Sequence, residues 1–138
     1  ISHEDNAASL IVAKVDRHDK DYQLTELLVD NTLRVFLTAV DHGINTSVRI
    51  RIHARDVSIT LEQPEHSSIL NILPCTIDAI EDSQPSQSDA RVLVRLTLGT
   101  QFLLARLTRK SVDRLRLHVG QAVFAQIKTV ALLNEHHH

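Results

Sequence analysis

The sequence predicts a mainly β fold built as two similar halves, with one short helix in the second. Three observations carry that reading. Apolar residues recur mostly with period two and are rich in Val, Ile, Leu and Thr, the pattern of half-buried strands. The runs break at short polar turns such as Asp30-Asn31 and Gly99-Thr100. Only Thr108 to Leu115 shows helical spacing, with a Thr at the N-cap position and Val112 and Leu115 on one face.

Leu10 to Asp16 is a short apolar run closed by the polar cluster Arg17 to Asp21, and Tyr22 to Val29 resumes after it, so the two form a hairpin. Asp30-Asn31 turns the chain into Thr32 to Leu37, and Asp41-His42-Gly43 breaks it again. Val48, Ile50 and Ile52 then alternate with Arg49, Arg51 and His53, one buried face and one wet face. Residues 62–67, polar and carrying Pro64, read as a connector between a first barrel half (1–61) and a second unit (68–133), with 134–138 as tail or tag remnant. In the second unit Thr76 to Ile80 is a strand, Glu81 to Asp89 a polar loop, Arg91 to Leu98 and Gln101 to Leu107 a hairpin, and Val123 to Leu132 the last strand. Matching Asn31 to Thr100 gives an offset of 69, and matching Gly43 to Gly120 gives 77, so about eight residues are added near 108–115. The match suggests a duplication, although two unrelated β-meanders align by eye as well.

Composition excludes several classes. Three scattered glycines make neither a P-loop nor a dinucleotide fingerprint. Fifteen Lys and Arg against 17 Asp and Glu leave a net charge of -2, with no global field to hold a nucleic acid, and four dispersed aromatics form no stacking row. One cysteine, Cys75, permits no internal disulfide and fits a reducing cytoplasmic setting. The longest stretch without Asp, Glu, Lys or Arg, His66 to Ile77, is 12 residues, short of a membrane span. The histidines outside the tail show no metal-ligand spacing, and neither Ser68 nor Ser111 sits in a nucleophile motif, so no catalytic residue is expected.

One local composition stands out. Arg106, Arg109, Lys110, Arg114 and Arg116 put five cations in eleven residues against Asp113 alone. A solvated helix face explains such a run; so does an anion at the helix start, where unpaired N–H groups point outward and Thr108 and Ser111 add hydroxyls. Thr108 can equally cap the helix through the Ser111 amide.

Three stretches, Ser67-Ser68-Ile69-Leu70-Asn71-Ile72-Leu73, Leu107-Thr108-Arg109-Lys110-Ser111 and Ala125-Gln126-Ile127-Lys128-Thr129-Val130, resemble in order and spacing the signatures of the Mop or molbindin fold, the molybdate-binding form of the TOBE domain. Ile50 to Ile59 is similar to the join in the C-terminal regulatory region of molybdenum-import ATP-binding subunits. The resemblance implies two OB-like barrels per chain, pairing of chains into a homodimer, and a parent ABC-type ATPase at the inner membrane that engages a permease subunit, the regulatory tail itself being cytoplasmic.

It also implies a ligand, molybdate or tungstate, with no other cofactor. The residues it assigns to the oxyanion are Ser68, Thr108, Ser111, Lys128 and the N–H of Thr129, with Asn71, Arg109 and Lys110 as auxiliaries; the family's arginine position is Leu70 here. Independently of family, a tetrahedral dianion offers only acceptors, so its site consists of hydroxyls, amides and at least one cation. The implied function is oxyanion sensing that modulates transport. The alternative is a structural dimerisation tail of an importer for another substrate, with no working anion site.

Overall fold

The computed structural model describes residues 7–82 and 91–133. In chain order the elements are β1 (Ala8–Asp19), β2 (Leu24–Val29), β3 (Leu33–Thr38), β4 (Ser47–His53), a 3-10 turn at Ala54–Asp56, β5 (Val57–Thr60), β6 (Asn71–Asp82), β7 (Arg91–Leu98), β8 (Gln101–Thr108), α1 (Arg109–Leu115), β9 (Ala122–Ile127) and β10 (Ala131–Leu132). They form two curled five-stranded sheets of the same pattern, β10-β4-β1-β2-β3 and β5-β9-β6-β7-β8. Every pairing in both sheets is antiparallel.

The two sheets exchange their short last strands. β5 precedes the connector yet pairs with β9, while β10, after the body of the second half, returns to β4. Neither five-stranded sheet is therefore complete from one half of the chain.

Register shows that the halves repeat each other. The long first strands β1 and β6 both carry an irregularity where the hairpin partner takes over, between Val15 and Arg17 and between Ile77 and Ala79. Such a bulge bends a strand sharply, which lets one strand serve both walls of a barrel. The second half differs by the seven residues of α1, where the sequence comparison gives about eight.

Alternation fills the interior. Ile11, Val15, Leu27 and Ile50 line the first sheet, and Ile77, Leu96, Leu103 and Ile127 the second, each at 1% exposure or less. At roughly 1.5–3 kcal/mol per fully buried aliphatic side chain, this core is the main favourable term. Pro74 is accommodated because it lies on an exposed position of β6 paired with Phe124. Three expectations need amendment. The strand expected at Thr76 to Ile80 is the 12-residue β6, Asn71–Asp82, because its first part pairs with β9 and its last with β7. β1 runs on through Arg17 to Asp19, expected to be turn, because Arg17 and His18 pair with Glu26 and Thr25. The run from Val123 to Leu132 is not one strand; it breaks at Lys128 to Val130 so that β10 can cross to the other sheet. Residues 83–89 of the expected polar loop lie outside the described residues.

The hairpin turns also meet. Gly99, at φ 63°, sits so close to Asp30 that a Cβ would overlap its carboxylate. Gly99→Ala is expected to cost about 2 kcal/mol or more, from left-handed strain plus displacement of Asp30, read by denaturant unfolding. The Thr100 N–H first, then the Thr100 hydroxyl at 2.9 Å, hold the Asp30 carboxyl below its ordinary pKa, more weakly aided by Gln101 and opposed by burial. A lowered folded pKa gives stability that is present above the unfolded aspartate value, about 4, and lost as pH falls through the folded one. Asp30→Asn should therefore flatten the dependence of stability on pH below about 4; urea midpoints at pH 3 and pH 7 check this.

Candidate functional site

A cleft that gathers expected site residues opens where β6 begins and β9 ends. Its volume is about 390 Å³, and Ser68, Asn71, Lys128 and Thr129 line it from the second half. The first half supplies the opposite wall, including Leu24, Phe36 and Thr38. Sequence reasoning missed these three, because nothing local in a β-hairpin announces which other sheet it will face.

Lys128 stands just past β9, exposed, in a segment pinned to the 3-10 turn by its own N–H donating to the Asp56 carbonyl at 2.9 Å. The following Thr129 is exposed too, and its N–H meets no acceptor among the described residues. Ser68 lies in the loop leading into β6, where the neighbouring Ser67 hydroxyl accepts the Ile69 N–H at 3.1 Å. The residues lining the cleft therefore include a hydroxyl, an ammonium and a backbone amide without a partner among the described residues, groups able to donate. Leu70, 57% exposed, adds an apolar lip.

Asn71 has a different task. Its buried amide accepts from the Phe36 N–H at 2.7 Å and donates to the Phe36 carbonyl at 2.8 Å, so the side chain stands in for a strand partner and ties β3 to β6. Both of its polar atoms are engaged by protein.

Thr108 and Ser111 are elsewhere. Thr108 caps α1, its hydroxyl oxygen accepting the Ser111 N–H at 3.0 Å and its hydroxyl lying 3.0 Å from the Ser111 oxygen. Arg109 ties this helix start to Asp82 at 3.4 Å. Asp82 is the last residue of β6 and Asn71 the first of that 12-residue strand, so about 36 Å of strand contour separates the two groups. Neither Thr108, Ser111, Arg109 nor Lys110 lines the cleft. The five expected oxyanion residues thus fall into two clusters within one chain, Ser68 with Lys128 and Thr129, and Thr108 with Ser111.

Burial pushes the thiol of Cys75 up to about 12, only partly offset by a hydrogen bond with the Ala125 backbone, so it is no thiolate nucleophile at neutral pH. Among the described residues no group of three or more His, Cys, Asp or Glu is placed to hold a metal ion, and no helix is long and apolar enough to cross a membrane.

Residues 67–133 match the TOBE domain family. Over almost its whole length the chain is similar to the molybdenum import ATP-binding protein ModC 2 of Azotobacter vinelandii, 46% identical over 134 residues, 96% of this chain and 36% of that protein. ModC of Hahella chejuensis is 42% identical over 138 residues, 97% of this chain and 36% of its own length. ModC of Pseudomonas fluorescens is 43% identical over 130 residues, 94% and 35% respectively. The chain thus spans little more than a third of these relatives. A solved structure of the cytoplasmic molybdate-binding protein ModG, with molybdate bound, superposes at a TM-score of 0.71 over 90% of this chain and 95% of its own, at 18% identity. At that identity the likeness is one of fold.

Proposed function

The chain belongs, through residues 67–133, to the TOBE-domain family, a ligand-binding rather than a catalytic unit, and from that premise we propose that it binds molybdate or tungstate as the regulatory module of a molybdenum importer's ATP-binding subunit. The observation that carries the reading is the cleft itself: Ser68, Lys128 and the unengaged Thr129 N–H converge on one space with no acidic side chain on its walls. Such a set suits a tetrahedral dianion, whose four oxygens only accept and whose lost hydration needs a compensating cation.

Lys128 and Thr129 are exposed, so one chain makes only part of a shell. In this reading the chains pair, and the partner's helix start supplies the hydroxyls of Thr108 and Ser111 to complete it. Arg109 and Lys110 then lie beside the anion, Arg109 held by Asp82, while Asn71 stays committed to Phe36. An oxyanion at the seam stabilises one arrangement of the paired modules, and through that differential affinity biases the attached ATPases. The module works on the cytoplasmic face of the inner membrane, beside the permease subunit of the parent transporter.

Calorimetric titration with molybdate, tungstate and sulfate tests this. Saturable heat from the first two supports it. No heat from any of them at millimolar concentration, with the chains still paired in sedimentation, replaces it with a dimerisation tail. Exposed Leu70 at the lip of the cleft favours that second reading.

A further inference from the structure

The repeat relates more than strands. Ser9 pairs with Ile52 as Asn71 pairs with Ile127. Each of these polar residues reaches from the first strand of its own half to the third strand of the other. Ser9 Oγ accepts the Leu104 N–H at 2.8 Å, as Asn71 accepts that of Phe36 at 2.7 Å. Following that correspondence, His53, Ala54 and Arg55 occupy in the first half the places of Lys128, Thr129 and Val130. Arg106, two residues beyond Leu104, occupies the place of Thr38, two beyond Phe36. The 3-10 turn packs on β8, just as the segment after β9 faces β3 across the cleft.

We infer that the first half carries a second oxyanion-binding pocket, at the junction of the 3-10 turn and β8, with His53 and Arg106 as its donors and Arg55 at its rim. The inference rests on the oxyanion reading of the first cleft, from which the correspondence starts.

Two features of the chemistry support it. His53 Nδ1 is buried and meets no hydrogen-bond partner among the described residues. A buried polar atom left unsatisfied is costly, and an acceptor oxygen beside it removes that cost when the atom carries a proton. Arg106 brings a planar fork of donors, part of it already engaged within the protein, and such a fork suits a polyoxygen anion better than a point charge does. The charge on this turn is mixed, Asp56 standing beside Arg55, and the Asp56 carbonyl is spent on the Lys128 N–H.

The two pockets are not copies in detail. The Ala54 N–H, counterpart of the Thr129 amide, donates to the Ala7 carbonyl at 2.9 Å, so this pocket works through side chains. With an imidazole and a guanidinium as its named donors, it discriminates little by size, and sulfate, phosphate and molybdate all serve as ligands.

The test uses the Lys128→Ala chain, which lacks the cation of the first cleft. Equilibrium dialysis with sulfate and with molybdate counts the anions bound, and the His53 ring resonances are followed by NMR. The expected result is saturable binding in that chain that shifts the His53 ring, is lost with His53→Leu, is partly restored by His53→Asn, whose amide reaches the Nδ1 position, and weakens at least about tenfold with Arg106→Gln. Loss of all binding in Lys128→Ala, or binding that leaves the His53 ring unmoved, overturns the second pocket and leaves the first standing. The opposite pattern, binding indifferent to Lys128→Ala yet abolished by His53→Leu, supports the second pocket and removes the first. An unchanged anion count in His53→Leu alone overturns the inference whatever the first cleft does.

Discussion

Asn71→Ala is expected to lower the unfolding free energy by about 2–4 kcal/mol, from two backbone groups left without partners at roughly 1–3 kcal/mol each, moderated by water entering from the cleft. The groups are the N–H and carbonyl of Phe36, which Asn71 satisfies together. In a chain this size that corresponds to a fall in Tm of roughly 6–15 °C. The repeat supplies an internal control: Ser9, in the matching place, makes a single bond, to the Leu104 N–H. Asn71→Ser should therefore fall between wild type and Asn71→Ala. Asn71→Asp should be the worst of the series above the carboxyl pKa, because it keeps an acceptor for the N–H but sets a second acceptor against the Phe36 carbonyl. Thermal melts of the four proteins check the order. A flat series would mean that the sheets are held together by apolar packing alone.

That stitch also marks how far the sequence can be read. Period-two alternation places the strands of both hairpins, because a half-buried strand has only one way to hide Val92, Val94, Leu96 and Leu98 together. The turns at Asp30-Asn31 and Gly99-Thr100 are legible for a local reason too, since Asp30, Asn31 and Gly99 all adopt positive φ. The capped helix at Thr108 follows from four consecutive residues. What fails is anything decided between distant segments. Val57 to Thr60 looks like the end of the first half, and its pairing with β9 depends on a strand more than sixty residues away. The polar residue Asn71, placed at an inward position of β6, was the one signal that something crosses there, and alternation alone does not say to what.

The candidate site divides along the same line. Ser68, Lys128 and Thr129 meet because β6 and β9 are neighbours, with Asn71 opposite Ile127, and this much follows from a correct strand order. Thr108 and Ser111 do not line that cleft; they stand by the far end of β6, where Arg109 meets Asp82. A family pattern lists residues without saying where in one chain they meet; the structure puts Thr108 and Ser111 outside the cleft that Ser68, Lys128 and Thr129 line.

If the proposed oxyanion site is shared between paired chains, two variants that each abolish binding should restore part of it when mixed. Lys128→Glu reverses the one cation in the cleft at an exposed position, so the fold is spared while the anion meets a like charge. Ser111→Glu places a carboxylate three residues after the Thr108 cap, a capping-box arrangement that favours the helix even as it repels the ligand. Each variant alone is expected to bind molybdate at least about a hundredfold more weakly, the scale of a lost charge-assisted hydrogen bond plus repulsion. In a mixed dimer one seam collects both substitutions, while the other joins an unaltered cleft to an unaltered helix start. Unfolding and refolding an equal mixture should yield half of its chains in mixed dimers, so about a quarter of the wild-type capacity should return, with wild-type affinity, in calorimetry. If the two groups served the same site from one chain, every chain in the mixture would carry a damaged site and no capacity would return. That outcome would dismiss the shared seam regardless of how well either variant folds.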